Sequence, residues 1–415
     1  MTVDPTRAVA HLRALDRLTG GPGGARRVCW TPEWESAREF LGGLLAELPK
    51  VKVERDAAGN LWATLAGRSE EIVVVGSHVD SVPGGGWLDG TLGVMAALEV
   101  LRAAAEAPDP PQRSVALVDW ADEEGARFGR SLLGSSAFAG TLDIDSVAGL
   151  RDGAGACLGE VLAEHGIDPA LMSGAGEGRR DRLAAYLELH IEQGPVLEAQ
   201  RLPCGAVLGC VGVERHRLVF EGRTAHAGST PMDRRSDAGV AAARVVTGLQ
   251  DIGIRHGGVC TAGRLDLDPG IVTAVPGRAE LLIDQRHLDP GALAAMLADA
   301  RSLWSSAGAG ERCTVEAQAL WRIAPTPFDE RLVEAARRAC SEAAGCDLTL
   351  SSGALHDAAQ MALLVPSVMV FSSSSGGVSH AVEEDTPEAD LELALEAFGL
   401  LARRVIANGV GAGSA

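Results

Sequence analysis

The stretch from Ile72 to Met95, IVVVGSHVDSVPGGGWLDGTLGVM, constrains this chain more than any other. Its four consecutive apolar β-formers, Ile72 to Val75, predict a strand buried on both faces, as in a parallel sheet. The chain then breaks at Gly76-Ser77, presents His78 and Asp80 two residues apart, and passes through a Gly-rich loop, Pro83 to Gly86. Asp89-Gly90 opens an apolar run with helical spacing at Val94, Ala97, Leu98 and Leu101. Open α/β sheets build their ligand crevices at the carboxyl ends of such strands. A loop that merely caps a strand accounts for one polar residue there; a histidine and two aspartates within a dozen positions call for a site.

The same arrangement recurs along the chain. Residues 5–18 and 33–48 carry apolar positions at helical intervals, and Val51 to Arg55 and Leu61 to Leu65 flank a turn at Ala57-Ala58-Gly59-Asn60. Ser114 to Asp119 is a second buried strand, running into Trp120-Ala121-Asp122-Glu123-Glu124, and Leu187 to Ile191 is a strand whose end delivers His190. Residues 142–182 are polar and Gly-rich, with helical patches. From Gly209 the texture changes. Arg215 to Glu221 and Ala279 to Ile283 are strands, Pro231 to Leu249 and Pro290 to Trp304 helices, and Thr314 to Leu320 a further strand. That succession fits a small α+β, ferredoxin-like domain inserted into a larger one. The larger domain resumes with a helix at Glu330 to Ala344, a strand at Ser367 to Phe371, a loop presenting His380, and a closing helix at Leu391 to Ile406. The expected architecture is therefore α/β: a domain of residues 1–209 and 325–415 with a mixed, mostly parallel sheet flanked by helices, and an inserted domain of residues 210–324.

Composition narrows the partners. A chain of 415 residues exceeds one ordinary core, and a net charge of −19 without a basic patch disfavours nucleic acid. Eight cysteines without CxxC spacing read as reduced thiols. The N-terminus is charged throughout and lacks the apolar core of a signal peptide, and no apolar run approaches the ~20 residues of a membrane span. A soluble, cytoplasmic protein is expected, with no membrane partner.

Four strand ends of the larger domain each offer a ligand-type residue: His78 with Asp89, Glu123-Glu124, His190 and His380. Imidazole with carboxylate, and no cysteine, is the donor set of a catalytic zinc, manganese or cobalt site rather than a structural one. Three histidines with two or three carboxylates suit two ions sharing one carboxylate. Neighbours in an extended segment point opposite ways, so one of Glu123 and Glu124 can bind metal while the other serves as a general base.

In order along the chain, GSHVDSVPGGGWLDGTLGV, ADEEGARFGRSLLGS, LELHIEQGPVLE, TAHAGSTPM, SGALHDAAQ and GVSHAVEE resemble the motifs of the amidohydrolase branch of the M20 metallopeptidase-like family. That branch comprises N-carbamoyl-L-amino-acid hydrolases, β-ureidopropionases and allantoate amidohydrolases. The resemblance spans residues 15 to 405, and LHIEQGPVLE separates this branch from the peptidases. It implies a di-metal catalytic domain, an inserted dimerisation domain and a homodimer acting on a small ureido acid. It also implies that two divalent ions (zinc, or manganese or cobalt) are held by His78, Asp89, Glu124, His190 and His380, with Asp89 bridging. By the same match Asp80 orients His78, Glu123 is the general base, and His226 reaches the partner subunit's site to polarise the scissile carbonyl. Gln193, Arg286 (in LIDQR) and His356 match substrate contacts, and Arg286 suits a carboxylate. Two positions depart from the pattern: Thr273 stands where family members usually carry Asn, and Leu355 where they carry Gly. Both bear on the choice of substrate. The expected activity is hydrolysis of a ureido C–N bond, releasing ammonia and carbon dioxide; an aminoacylase or dipeptidase using the same metals is the rival reading.

Overall fold

A computed structural model of the chain describes residues 2–411. The chain divides into two compact units, one running up to Leu208 and resuming at Phe328, the other spanning Gly209–Pro327. Among the described residues no helix is long and apolar enough to cross a membrane.

The first unit is built on a nine-stranded sheet. A hairpin of β1 (Val51–Arg55) and β2 (Leu61–Leu65) closes on a turn where Asp56 Oδ1 accepts the N–H groups of Ala58 and Asn60. Next to β2 lies β4 (Arg113–Trp120), antiparallel to it. From β4 the sheet continues through β3 (Ser69–His78), β5 (Leu183–Ile191) and β15 (Ser367–Ser372), each parallel to its neighbour. This parallel centre is the buried part, Ile72 to Val75 being at most 2% exposed. Beyond it runs β6 (Cys204–Cys210), antiparallel to β15 and paired also with β14 (Thr349–Ser352); the last residues of β6, Gly209 and Cys210, pair with the two-residue β13 (Thr326–Pro327) where the chain enters and leaves the second unit.

Helices α3 (Thr91–Ala105), α10 (Glu330–Ala344) and α12 (Glu388–Asn408) pack on the sheet, α1 (Pro5–Thr19) packs on α3 and α12, and α2 (Pro32–Ala46) packs against α1. The starts of α1, α2 and α10 are written in the chain: Asp4, Thr31 and Asp329 accept N–H groups of the first turn, and Pro5 and Pro32 occupy its opening position. The polar segment 142–182 contributes only α5 (Ile144–Val147), α6 (Leu158–Glu164) and 3₁₀ turns, after α4 (Leu133–Ala139). The short α7 (Val196–Gln200) and α11 (Asp357–Met361) complete the set.

The second unit orders its main elements as β7 (Gly212–Glu221), α8 (Ala238–His256), β9 (Val259–Asp268), β11 (Arg278–His287), α9 (Pro290–Gly310) and β12 (Thr314–Ile323). The four strands lie antiparallel in the order β12-β7-β11-β9, which is the ferredoxin-like arrangement. One face buries Leu218, Phe220, Leu281 and Ile283 against Val245, Leu249, Met296 and Trp304 of the helices. The other face carries charges in register: Arg217 and Arg278 both clasp Glu280, and Arg215 and Arg286 both clasp Asp284. A two-residue ribbon pairs β8 (Ala225–His226) with β10 (Ala274–Val275). Helix α8 starts at Ala238, not at Pro231, because Met232–Arg234 forms a lone 3₁₀ turn and Asp237 caps the helix proper. Strand β9 eluded sequence reading because its side chains are mostly exposed and show no clean alternation.

One buried ion pair ties helix to sheet where the strands end. Arg38 of α2 donates through Nε to Asp119 Oδ2 at 2.7 Å, and also to the carbonyls of Asp119 and Gly59. Asp119 Oδ1 in turn accepts the Val79 N–H at 2.9 Å, which fixes the chain just past His78. Removing one partner of a buried pair strands the other. Arg38→Met should therefore cost about 3–5 kcal/mol of stability in guanidinium chloride titration, and adding Asp119→Leu should recover only part of it, because the Val79 N–H then loses its acceptor. A loss below about 1 kcal/mol would show that the pair does not hold this junction.

Candidate metal centre

The parallel strands deliver their C-terminal residues to one place. His78 is the last residue of β3, and its Nδ1 lies 3.1 Å from the Asp80 carbonyl oxygen and 3.4 Å from Asp80 Oδ1. With Nδ1–H engaged there, Nε2 faces Asp89 Oδ1 at 3.9 Å and Glu123 Oε2 at 3.7 Å. His190, near the end of β5, is set the same way. Its Nδ1 lies 3.0 Å from the Ile191 carbonyl oxygen, and its Nε2 lies 3.1 Å from Asp89 Oδ1.

Asp89 is the hinge of the arrangement. Glu384 Oε1 accepts the backbone N–H groups of both Leu88 and Asp89, at 3.1 and 3.0 Å. Asp89 Oδ2 accepts from Gln193 Nε2 at 2.9 Å, lies 3.2 Å from Ser379 Oγ, and faces His380 Nε2 at 3.2 Å. His380 Nε2 lies 3.5 Å from Glu124 Oε2. Asp80 accepts the N–H groups of Glu123 (3.3 Å) and Glu124 (3.1 Å), so a single carboxylate backs His78 and shapes the turn that splays the two glutamates.

Two groups of donors result, His78 with Asp89 and His190, and Asp89 with Glu124 and His380; within each the ligand atoms lie no more than 4.8 Å apart. A third, Glu188 with His190 and His356, meets the same distance test. Glu188, however, is already satisfied by Ser77 Oγ, Tyr186 OH and the Ala358 N–H, and His356 Nε2 lies 2.9 Å from Ser352 Oγ. The His356 ring instead packs edge-on to His190, with 4.4 Å between centroids. It is buried against a ligand candidate, and Leu355 beside it is half-buried.

The electrostatics are one-sided. Burial lifts Glu123 well above the usual carboxylate range, and Asp357, Glu124 and Asp80 add to the lift against the pull of His78. Burial and the Asp89 charge push Glu124 up to about 7. For His78 burial works downward, but Glu123, Asp80 and Asp89 overcome it and raise the imidazole well above its ordinary value. The contact with Asp89 brings His380 up to about 9. A buried excess of carboxylate over cation is costly unless something positive sits within it.

The donor set fits divalent cations. Imidazole nitrogens and carboxylate oxygens 3.1–3.9 Å apart are what a sphere with metal–ligand bonds of about 2.0–2.2 Å requires. His190 Nε2 is buried and makes no hydrogen bond, which leaves its lone pair for a ligand bond.

Of the residues expected at the site, His78, Asp80, Asp89, Glu123, Glu124, His190, Gln193 and His380 lie together in the first unit. Gln193, expected as a substrate contact, donates through Nε2 to Asp89 Oδ2. Glu384, Ser379, Asp119 and Glu188 were not expected there. Glu384 lies four residues after His380, within a motif already singled out; Asp119 and Glu188 were visible as acids inside otherwise apolar strands. His226, Thr273 and Arg286 belong to the second unit. There Ala227 N–H donates to the Thr273 carbonyl at 2.9 Å, so His226 and Thr273 share one ribbon, and Arg286 Nε donates to Asp284 Oδ1 at 2.7 Å.

Gly90 shows how tightly the centre is built. Its φ is +65°, and a Cβ there would fall 2.4–2.5 Å from three atoms of the His78 ring. Gly90→Ala should leave the fold intact by circular dichroism while weakening divalent-metal binding by roughly 10–100-fold in competition titration. Unchanged affinity would separate His78 from metal binding.

The chain matches the model of peptidase family M20/M25/M40 over residues 74–404. It is 35% identical over 378 residues to an N-carbamoyl-L-amino acid amidohydrolase of Geobacillus stearothermophilus, covering 90% of this chain and 91% of that one. To an allantoate amidohydrolase of Bacillus subtilis it is 31% identical, covering 91% of each. A solved hydantoinase/carbamoylase-family amidase from Burkholderia multivorans superposes with a TM-score of 0.88 at 33% identity, over 97% of this chain and 98% of that one. With the match covering most of its length, the chain belongs to peptidase family M20/M25/M40 and is a hydrolase.

Proposed function

We propose that this hydrolase cleaves the ureido C–N bond of an N-carbamoyl amino acid or a related, allantoate-like ureido acid, using two divalent cations. The observation that carries the reading is the position of Asp89, whose two oxygens face imidazoles of different donor groups, His190 at 3.1 Å and His380 at 3.2 Å. The names borne by the relatives supply the substrate class. His78, Asp89 and His190 would hold one ion and Asp89, Glu124 and His380 the other, as zinc, manganese or cobalt. Such ions supply Lewis acidity and acidify a water toward a pKa of ~7.

The remaining work falls to the chain. Glu123, buried beside His78 and held basic by its surroundings, takes the proton from the attacking water and returns it to the leaving amine. Asp80 is a positioning residue, since its carboxylate fixes both His78 and the Glu123-Glu124 backbone. His226, contributed across a homodimer, donates to the substrate carbonyl oxygen as negative charge develops there. Arg286, already aligned by Asp284, takes the substrate carboxylate. Thr273 and Leu355 narrow the choice of acid. Water adds to the ureido carbon, the amine departs with the proton from Glu123, and the carbamate released falls to carbon dioxide and ammonia.

The deciding experiment is ammonia release from a panel of ureido acids by metal-supplemented enzyme, run beside N-acetyl amino acids and dipeptides. Turnover should be confined to the ureido acids and vanish reversibly on chelation. Preference for N-acetyl amino acids or dipeptides would make the protein an aminoacylase or dipeptidase instead.

Glu123→Gln keeps the shape and loses the proton acceptor. Turnover should fall roughly 10²–10⁴-fold while the metal content stays unchanged. Loss of metal along with activity would exchange the roles of Glu123 and Glu124.

A further inference from the structure

The His226 ring is exposed at the end of β8, yet its protonation pattern is set by the loop that follows. The backbone N–H groups of Gly228 and Ser229 both point at Nδ1, at 3.1 and 3.2 Å. An amide N–H only donates, so Nδ1 must present its lone pair and the neutral ring carries its proton on Nε2. That geometry needs the loop to curl tightly. Thr230 N–H returns to the His226 carbonyl at 3.1 Å, and the backbone passes so close that a Cβ on Gly228 would meet the ring's Cε1 at 3.4 Å.

One side chain spans this curl. Arg235, half-buried, donates through Nη2 to the Ala227 carbonyl at 2.6 Å and through Nε to the Thr230 carbonyl at 3.0 Å. A single edge of the guanidinium thus bridges two carbonyls that bracket the donors Gly228 and Ser229. The Arg235 carbonyl is itself held by the Arg312 guanidinium, and Ala227 is pinned from the other side by the Thr273 carbonyl.

We propose that Arg235 is a positioning residue: it clasps the Ala227–Thr230 loop so that His226 is locked as the Nε2–H tautomer, a preset donor for the developing oxyanion. The functional half of this inference rests on the role given to His226 above. Its physical basis is that a donor contributes most when its orientation is fixed before the reaction. Lysine, a point charge without a planar fork, can satisfy one carbonyl but not bridge two.

The test compares the full-length protein with Arg235→Met and Arg235→Lys, labelled with ¹⁵N-histidine, the His226 signal among the ten histidines being assigned by His226→Gln. Thermal unfolding checks that each variant is folded; the lysine variant, which keeps the charge, carries the test if the methionine variant does not fold. The full-length protein should show a single Nε2–H tautomer, and Arg235→Met a mixture of both. In steady-state kinetics on the ureido substrate, kcat should fall roughly 10–100-fold with KM nearly unchanged, and lysine should restore part of it. A tautomer that stays fixed in Arg235→Met overturns the clasp, whatever the turnover does. A mixed tautomer with undiminished turnover upholds the clasp and removes His226 from the chemistry. Because the tautomer is read without substrate, a failure of the ureido-acid reading does not touch this arm.

Discussion

One carboxylate organises the first unit. Asp89 faces the imidazoles of His190 and His380 with different oxygens, and every strand end of the parallel centre contributes something that surrounds or steadies it. It sits in the turn before α3, where the backbone N–H groups of Leu88 and Asp89 are both claimed by Glu384. Glu384 thus fixes the backbone from which Asp89 projects, while Gln193 and Ser379 hold its carboxylate. The positive φ at Gly90, against the face of His78, is the backbone counterpart of that constraint.

Around Asp89 the supports work through backbone as much as through side chains. Asp80 accepts two amides from the chain after β4, and Asp119 accepts the amide of Val79 while Arg38 holds it in place. The segments that follow β3 and β4 are thereby fixed by carboxylates that are not themselves ligand candidates. Orientation by such partners is what keeps ligand nitrogens aimed and in the right tautomer. For His78 and His190 the aim is set identically, Nδ1 to a carbonyl oxygen and Nε2 to the centre.

Much of this was legible in the residues because the physics is local and repeated. A buried apolar strand followed at once by His or paired acids states both the element and its exit. That pattern marked His78, Glu123-Glu124 and His190 before any fold was in hand. His380, the exposed member, was marked only by the loop after β15 and by resemblance to the family. What could not be read were partners distant along the chain. Glu384 lies 295 positions from the amide of Asp89 that it accepts, and no periodicity announces that contact. Nor did sequence reveal β9, whose exposed side chains leave no face to alternate, or that Gln193 would brace Asp89.

The two units treat charge in opposite ways. On the open face of the second unit's sheet every acid named has its base: Glu280 lies between Arg217 and Arg278, which hold it down to about 2, and Asp284 lies between Arg215 and Arg286. Those pairs are partly solvated and stabilise little individually, but they align their guanidinium planes. At the strand ends of the first unit the acids are buried and outnumber their cations, so burial drives Glu123 and Glu124 upward while the imidazoles beside them are driven upward too. Such an imbalance costs folding free energy, because an apolar core of the same volume would fold more cheaply. The imbalance at the strand ends is what a bound cation would offset, whereas the ladder is already balanced within itself and holds Arg286 in a fixed orientation.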